Sequence, residues 1–122
     1  MSTNQDLDLS FLYEIADGSN EFIVESVTMF LQQTPELIEG INSAIAESNW
    51  LGAAQAAHKL KPNLGFFGMH YSESLLQEIE SMSKADVQDA EAIRLKFTEA
   101  KQVLEQNLIA LEKIKQEKEA EL

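Results

Sequence analysis

Cysteine is absent from the 122 residues, which excludes a disulfide scaffold, a thiolate zinc site and a cysteine nucleophile. Long apolar runs are absent as well, and no stretch approaches the roughly 20 residues that a membrane-spanning helix requires. The start of the chain has neither the basic nor the apolar region of a signal peptide. We therefore expect a cytoplasmic protein that does not contact a membrane.

Basic side chains are scarce, with 9 lysines and arginines against 21 aspartates and glutamates, and the formal net charge is -12. A surface of this charge repels phosphate backbones, so we expect no nucleic-acid binding. Anionic membranes are disfavoured for the same reason. The charge favours a protein partner that offers a basic or apolar face.

Glycine and proline are also scarce (5 and 2 residues), and helix-forming residues dominate. Apolar residues recur at three or four positions and never alternate for long, which predicts helices and no strands. The predicted segments are a short helix over Ser10–Ala16 and longer ones over about 22–45, 50–67, 71–83 and 89–117, the last capped by Asp86 or Asp89. Pro35 either begins a new helix or kinks a single long one, and we favour the kinked helix.

These segments predict an all-α fold, an antiparallel up-and-down four-helix bundle with the short extra N-terminal helix across one end. The length suits one domain over residues 1–122, with frayed ends at 1–8 and 116–122.

His58 lies on the helix predicted over 50–67, almost opposite its apolar stripe, and is therefore expected to face water. Ala54, Lys61 and Gly65 share its side of the helix, because they lie one or two turns away. Most exposed histidines are only surface residues, and Gly65 could instead serve close helix packing. Proline at position 62 removes the N–H that would bond the His58 carbonyl, so we expect a bend or a distorted turn there.

The exposed face has a chemical use. A neutral imidazole is a nucleophile, and histidine is partly neutral at cytosolic pH. Lys61 is placed to stabilise negative charge that gathers around an attacked phosphorus atom. Small residues at Ala54 and Gly65 leave room for a phosphoryl group and for the surface that delivers it.

At these residues the sequence resembles the histidine phosphotransfer (HPt) domain family, whose pattern is His-x-Leu-Lys-Gly, a later glycine and an apolar-Glu pair. The matching residues here are His58-Lys59-Leu60-Lys61, Gly68 and Ile79-Glu80, with Ala57, Gly65 and Phe30 at further family positions. The resemblance spans roughly residues 9–80. Pro62 departs from the pattern, since the family commonly has glycine there.

The resemblance implies a four-helix bundle whose exposed histidine takes a phosphoryl group from an aspartyl phosphate and passes it on. His58 would carry that group and Lys61 would stabilise it. The partners would be receiver domains of response regulators, with a hybrid sensor kinase as a further candidate. The chain itself would bind neither ATP nor a metal, and Mg²⁺ would belong to the receiver domain.

A docking surface is expected around His58, extended by Phe11 and Leu12 of the short first helix and by Phe66. Phe66 fits the protein core equally well. An apolar patch ringed by polar groups suits a transient partner, and we expect the chain itself to be a monomer.

Three other functions compete with phosphotransfer. A non-catalytic, acidic helical interaction module would need no reactive histidine, and an HPt-like regulator would have lost transfer. A di-iron bundle would need Glu-x-x-His pairs, yet Gln55 and Phe67 precede the two histidines. His70, the other histidine, ranks below His58 as a phosphorylation site because no lysine follows it three residues on.

Overall fold

The protein forms five α-helices in a computed structural model that describes residues 6–122, and no strand occurs in that part of the chain. The helices are α1 (Ser10–Ala16), α2 (Asn20–Ala46), α3 (Trp50–Phe66), α4 (His70–Lys84) and α5 (Ala90–Glu119). Helix α2 packs on α3, α3 on α4, α4 on α5 and α5 on α2. This closed ring of contacts is a four-helix bundle, as predicted, and the short α1 packs against α2.

Polar side chains begin three of the long helices. Ser19, Asn49 and Asp89 accept hydrogen bonds from the backbone N–H groups at the starts of α2, α3 and α5, at distances of 3.0, 2.9 and 3.1 Å. Such caps satisfy donors that the helix itself leaves free, and each typically contributes about 1 kcal/mol. Of the two aspartates predicted as the cap of α5, Asp89 is the one that caps the helix.

The core is filled by the apolar stripes predicted from the sequence. On α3 the buried stripe is Ala53, Ala57, Leu60, Leu64 and Phe67, the last directly after the helix. Helix α2 continues through Pro35, so the prediction of one long helix is confirmed over that of two. Helix α3 likewise continues through Pro62, and the proline expected to disturb the turn at His58 does not end the helix. Packing of both helices offsets the backbone hydrogen bonds that the prolines remove.

A segment before α1 is fixed to the bundle by Asp6, which is buried. Its carboxylate accepts hydrogen bonds from the backbone of Tyr71 and Ser72, at 2.7 and 3.3 Å, and from Asn107 Nδ2 at 2.8 Å. Asp6 thus caps the start of α4, where the local cap position, Met69, provides no side-chain hydrogen bond. The expectation of a frayed 1–8 segment does not hold at Asp6, and residues 1–5 of that expectation lie outside the described residues.

The C-terminal helix also extends further than expected. Residues 116–122 were predicted to fray, but α5 is helical to Glu119. Lys115 pairs with Glu119 at 3.0 Å, and Asn20 donates a hydrogen bond to Glu121 at 3.0 Å. The first contact lies within α5, and the second attaches the end of the chain to the start of α2.

Gly68 joins α3 to α4 in a conformation that other residues rarely adopt, with φ at +69°. A Cβ atom there would overlap the backbone of Asp8 and lie 2.7 Å from the Asp8 Cβ. The segment before α1 crosses at this place, and Asp8 N donates to the Phe67 carbonyl at 3.3 Å. Glycine is required by both the backbone angle and the close approach.

We predict opposite effects for two glycine-to-alanine substitutions. Gly68→Ala should lower the free energy of unfolding by about 2 kcal/mol or more, because it combines a positive φ with a steric overlap. Gly40→Ala, inside α2 with no neighbour within 4 Å of the new Cβ, should raise it by about 0.5–1 kcal/mol. Urea unfolding of both variants measures this, and equal effects would contradict the role assigned to Gly68.

Candidate functional site

Helix α3 presents His58 to solvent, as the helical periodicity predicted, and 69% of its side chain is exposed. The ring lies beside α4, because a short connection joins α3 to α4 and turns the two helices antiparallel. His58 precedes the end of α3 by eight residues, and Glu80 follows the start of α4 by ten. At a rise of about 1.5 Å per residue both lie roughly 12–15 Å from the connection, so the two side chains meet.

Glu80 is the centre of the site, although only 7% of its side chain is exposed. Its Oε2 lies 3.1 Å from His58 Nδ1 and 3.1 Å from Lys84 Nζ. Its Oε1 lies 2.8 Å from Lys61 Nζ. A buried carboxylate is costly unless it is paired, and here three partners from two helices surround it.

The charges around Glu80 keep it ionised. The Lys61 ammonium, which outweighs the opposing effect of burial, and then the Lys84 ammonium lower the pKa of Glu80 from 4.5 to about 2. A carboxylate can only accept hydrogen bonds, so the Nδ1 atom of a neutral His58 must carry the proton in its contact with Glu80. The lone pair is then on Nε2, the ring nitrogen that does not contact Glu80.

Lys61 is held more firmly than a surface lysine. It has 17% of its side chain exposed and donates a hydrogen bond to Gln77 Oε1 besides pairing with Glu80. Gln77 in turn donates to Ser81 Oγ at 3.1 Å. Lysine side chains have high conformational entropy, and these contacts restrict the ammonium to the His58 side of α3.

The two small residues expected beside His58 differ in exposure. Gly65 faces an open groove, where an added Cβ would come no nearer than 3.5 Å to Glu73 Oε2. Ala54 is only 1% exposed, so its predicted place on the open face is corrected. The helical wheel gives the direction of Ala54 along the His58 side, but a small residue near the start of α3 is covered by its neighbours.

The groove continues the His58 face towards the end of α3 and has a volume of about 570 Å³. Its apolar part consists of Phe11, Pro62, Gly65 and Phe66, and its polar part of Asp8, Ser10, Glu14 and His70. The rings of Phe11 and Phe66 meet edge to face with centroids 5.6 Å apart, so α1 and α3 form one continuous surface here.

The three residues predicted for docking have different positions. Phe11 is 51% exposed, whereas Leu12 is fully buried in the core, so the prediction for Leu12 was wrong. Neighbours on a helix point about 100° apart, and on α1 the side that carries Leu12 and Ala16 faces the core. Phe66 is half-buried and contacts Phe67 as well as Phe11, so it belongs to both the core and the groove.

Comparisons with known proteins agree with this geometry. The family model of the Hpt domain matches residues 25–116. This chain belongs to the Hpt domain family. A histidine phosphotransfer role follows from that membership. A crystal structure of the HPT domain from the Hpt sensor hybrid histidine kinase of Shewanella has a TM-score of 0.76 and 22% identity, covering 92% of this chain and 95% of that chain. At that identity the likeness concerns the fold. A search of curated proteins found no match.

Within residues 6–122 of this Hpt domain, no group of three or more His, Asp or Glu side chains is arranged to hold a metal ion. No described helix has the length and apolar character needed to cross a bilayer.

Three contributors to the site were not identified from the residues. Glu80 was noted only as part of the family pattern, and Gln77 and Lys84 were not noted. Their spacing was the available signal, since Gln77 and Glu80 lie three residues apart on one face of the predicted fourth helix. Lys84 follows Glu80 by four residues, one residue past the predicted end. Which face meets α3 depends on packing, and the periodicity does not show it. His70, by contrast, is 73% exposed at the start of α4 with Glu73 3.5 Å from Nδ1.

The depressed pKa of Glu80 predicts how stability depends on pH. Because the folded-state pKa is about 2 and the ordinary value is 4.5, Glu80 stabilises the fold above pH 4.5, and this stabilisation is lost as the pH falls towards 2. Urea unfolding at a series of pH values should show Glu80→Gln less stable at pH 7 and less sensitive to acid than the wild type.

The matched control is Glu78→Gln on the same helix, which removes an exposed pair with Lys96 and should cost less than about 1 kcal/mol. If Glu80→Gln were as mild as Glu78→Gln at pH 7, the buried charge cluster would not stabilise the fold.

Proposed function

We propose that this Hpt domain is a phosphoryl carrier of a multistep phosphorelay, with His58 as the residue that is phosphorylated. The observation that carries the proposal is the contact between exposed His58 and the buried, ionised Glu80. It orients an imidazole at the surface with its proton on the inner nitrogen. The competing interaction module would need no such pair.

The transfer step follows from this tautomer. The Nε2 lone pair attacks the phosphorus of an aspartyl phosphate on a receiver domain, and an N–P bond forms. The bond between phosphorus and the aspartyl oxygen breaks, and the receiver carboxylate leaves with the electron pair. The proton remains on Nδ1, where Glu80 Oε2 accepts its hydrogen bond and stabilises the positive charge that develops on the ring. The reverse step returns the phosphoryl group to another receiver domain.

Lys61 supplies the positive charge of the site. Its ammonium lies on the same side of α3 as His58 and is restricted by Glu80 and Gln77. We propose that it stabilises the phosphoryl oxygens, since a positioned cation near a transferring phosphoryl group lowers the barrier. No nucleotide takes part in this step, and we assign Mg²⁺ to the receiver domain, as the resemblance implies.

The groove beside His58 is the proposed docking surface. Phe11 and Phe66 provide apolar contact area in the groove, which lies along α3 beyond His58, and Gly65 keeps the groove open. A small apolar centre with a polar rim suits a transient complex with a receiver domain. A monomeric carrier in the cytoplasm fits this role, and both properties remain proposals.

The first experiment is phosphorylation of the purified protein by phosphoramidate and by a panel of phosphorylated receiver domains. Intact mass and acid lability are the readouts. The wild type and His70→Gln should gain one acid-labile phosphoryl group, and His58→Gln should gain none, because His58, unlike His70, contacts the Glu80 carboxylate that also binds Lys61.

Loss of phosphorylation in His70→Gln with retention in His58→Gln would overturn the assignment. A wild type that neither donor modifies would contradict phosphotransfer and favour the interaction module.

The docking surface makes a separate prediction. Phe11→Ala should lower kcat/KM for transfer from a receiver domain about tenfold, which corresponds to about 1.4 kcal/mol of lost contact energy. Phosphorylation by phosphoramidate should not change, because the small donor does not need the groove. Leu95→Ala on α5, where the side chain is 66% exposed, serves as the matched control and should transfer normally. An equal loss of rate with both donors would show that Phe11→Ala changes the reactivity of His58 and not docking.

A further inference from the structure

Glu80 Oε2 is shared by two groups that compete for it. His58 Nδ1 approaches it from α3 at 3.1 Å, and Lys84 Nζ approaches it from one turn further along α4, also at 3.1 Å. The other oxygen faces Lys61. The two ammonium groups also differ in exposure, since the side chain of Lys84 is 62% exposed and that of Lys61 is 17% exposed.

A carboxylate next to a histidine has two opposite consequences for a nucleophile. It orients the ring and fixes the proton on Nδ1, but its negative charge also favours the doubly protonated imidazolium. The imidazolium has no lone pair and cannot attack phosphorus. An orienting carboxylate therefore suits this reaction only if other cations balance its charge.

We propose that Lys84 is a positioning residue that acts through Glu80: it balances the carboxylate so that His58 is oriented without being held protonated. The inference rests on the proposed function, because the charge of His58 matters for transfer only if His58 is the residue that is phosphorylated. Its physical content, the titration of His58, can be measured without any phosphoryl transfer.

The other charged groups near these helices lie elsewhere on the bundle. Lys59 lies in a groove with Glu36 of α2, on a different side of α3. Lys96 of α5 pairs with Glu78 at 3.0 Å, and His70 pairs with Glu73. Helix α2 has no basic residue. The cations that contact Glu80 within the described chain are thus Lys61 and Lys84 together with His58 when it is protonated.

The two lysines are suited to different tasks. Lys61 is attached to Gln77 as well as to Glu80, and its position on the His58 side of α3 suits the phosphoryl group. When Lys61 turns towards that group, its charge is drawn away from Glu80. Lys84 lies one turn after Glu80 on the same helix, so its contact with the carboxylate does not depend on the position of Lys61.

The test is NMR titration of the folded protein labelled with ¹⁵N and ¹³C, following both His58 ring nitrogens and the Glu80 carboxyl carbon. In Lys84→Met the titration midpoint of His58 should rise by about half a pH unit or more, as expected when one close cation is lost. The carboxyl of Glu80 should titrate at a higher pH than in the wild type. Lys84→Arg should restore both midpoints. The Lys84 side chain is largely exposed, so these variants should remain folded, and thermal unfolding is measured first to show this.

Lys59→Met is the matched control, because it removes the same charge from the residue adjacent to His58 without a contact to Glu80. It should leave the Glu80 midpoint unchanged and move the His58 midpoint by less than half as much. The His70 ring provides an internal reference that should not shift in any variant. An unchanged His58 midpoint in Lys84→Met, or an equal shift in Lys59→Met, would overturn the proposal.

Phosphorylation by phosphoramidate connects the titration to the reaction. For a half-unit shift, the ratio of the Lys84→Met rate to the wild-type rate should fall towards about one third as the pH drops below the His58 titration midpoint, and it should approach one as the pH rises above that midpoint. A constant ratio at all pH values would overturn the charge-balance role. If the titrations shift as expected but the wild type accepts no phosphoryl group, the proposed function fails and the action of Lys84 on His58 remains.

Discussion

The contact between His58 of α3 and the buried carboxylate of Glu80 of α4 is the interaction on which the site depends. It connects the exposed ring to the interior of the bundle, and it requires that Glu80 be both buried and ionised. Burial alone would favour the neutral acid, so the two lysines are necessary parts of the same arrangement. Four side chains from two helices therefore depend on one another: His58 and Lys61 of α3, and Glu80 and Lys84 of α4.

The register between α3 and α4 makes these contacts possible. The short connection after α3 contains Gly68, whose positive φ reverses the chain direction within three residues. The segment before α1 packs over this connection, with Asp8 against Gly68 and Asp6 bound to the start of α4. A shift of α4 by one turn would move Glu80 about 5.4 Å along the helix and out of reach of His58. The N-terminal segment thus contacts the connection that determines this register.

Much of the architecture was predictable because the apolar residues that recur with the period of a helix are the residues that the core buries. The stripe on α3 and the exposure of His58 on the opposite side both follow from the period of the helix. The prediction failed where a residue's surroundings depend on another helix. Leu12 and Ala54 were placed on the surface by sequence position, yet neighbouring elements cover them. Asp6 was expected in a loose end, but a capping position 65 residues away binds it.

The sequence by itself determined the helices, the face of α3 that carries His58 and Lys61, and the family pattern around them, because these depend on residues close together in the chain. Only the tertiary structure decided which groups meet His58. Glu80 lies 22 residues further along, and its contacts with Lys61 and Lys84 depend on how α3 and α4 are aligned. That alignment is set by the connection at Gly68 and by the packing of the core. A local pattern does not contain this information, because the contacts arise from the distance between two helices.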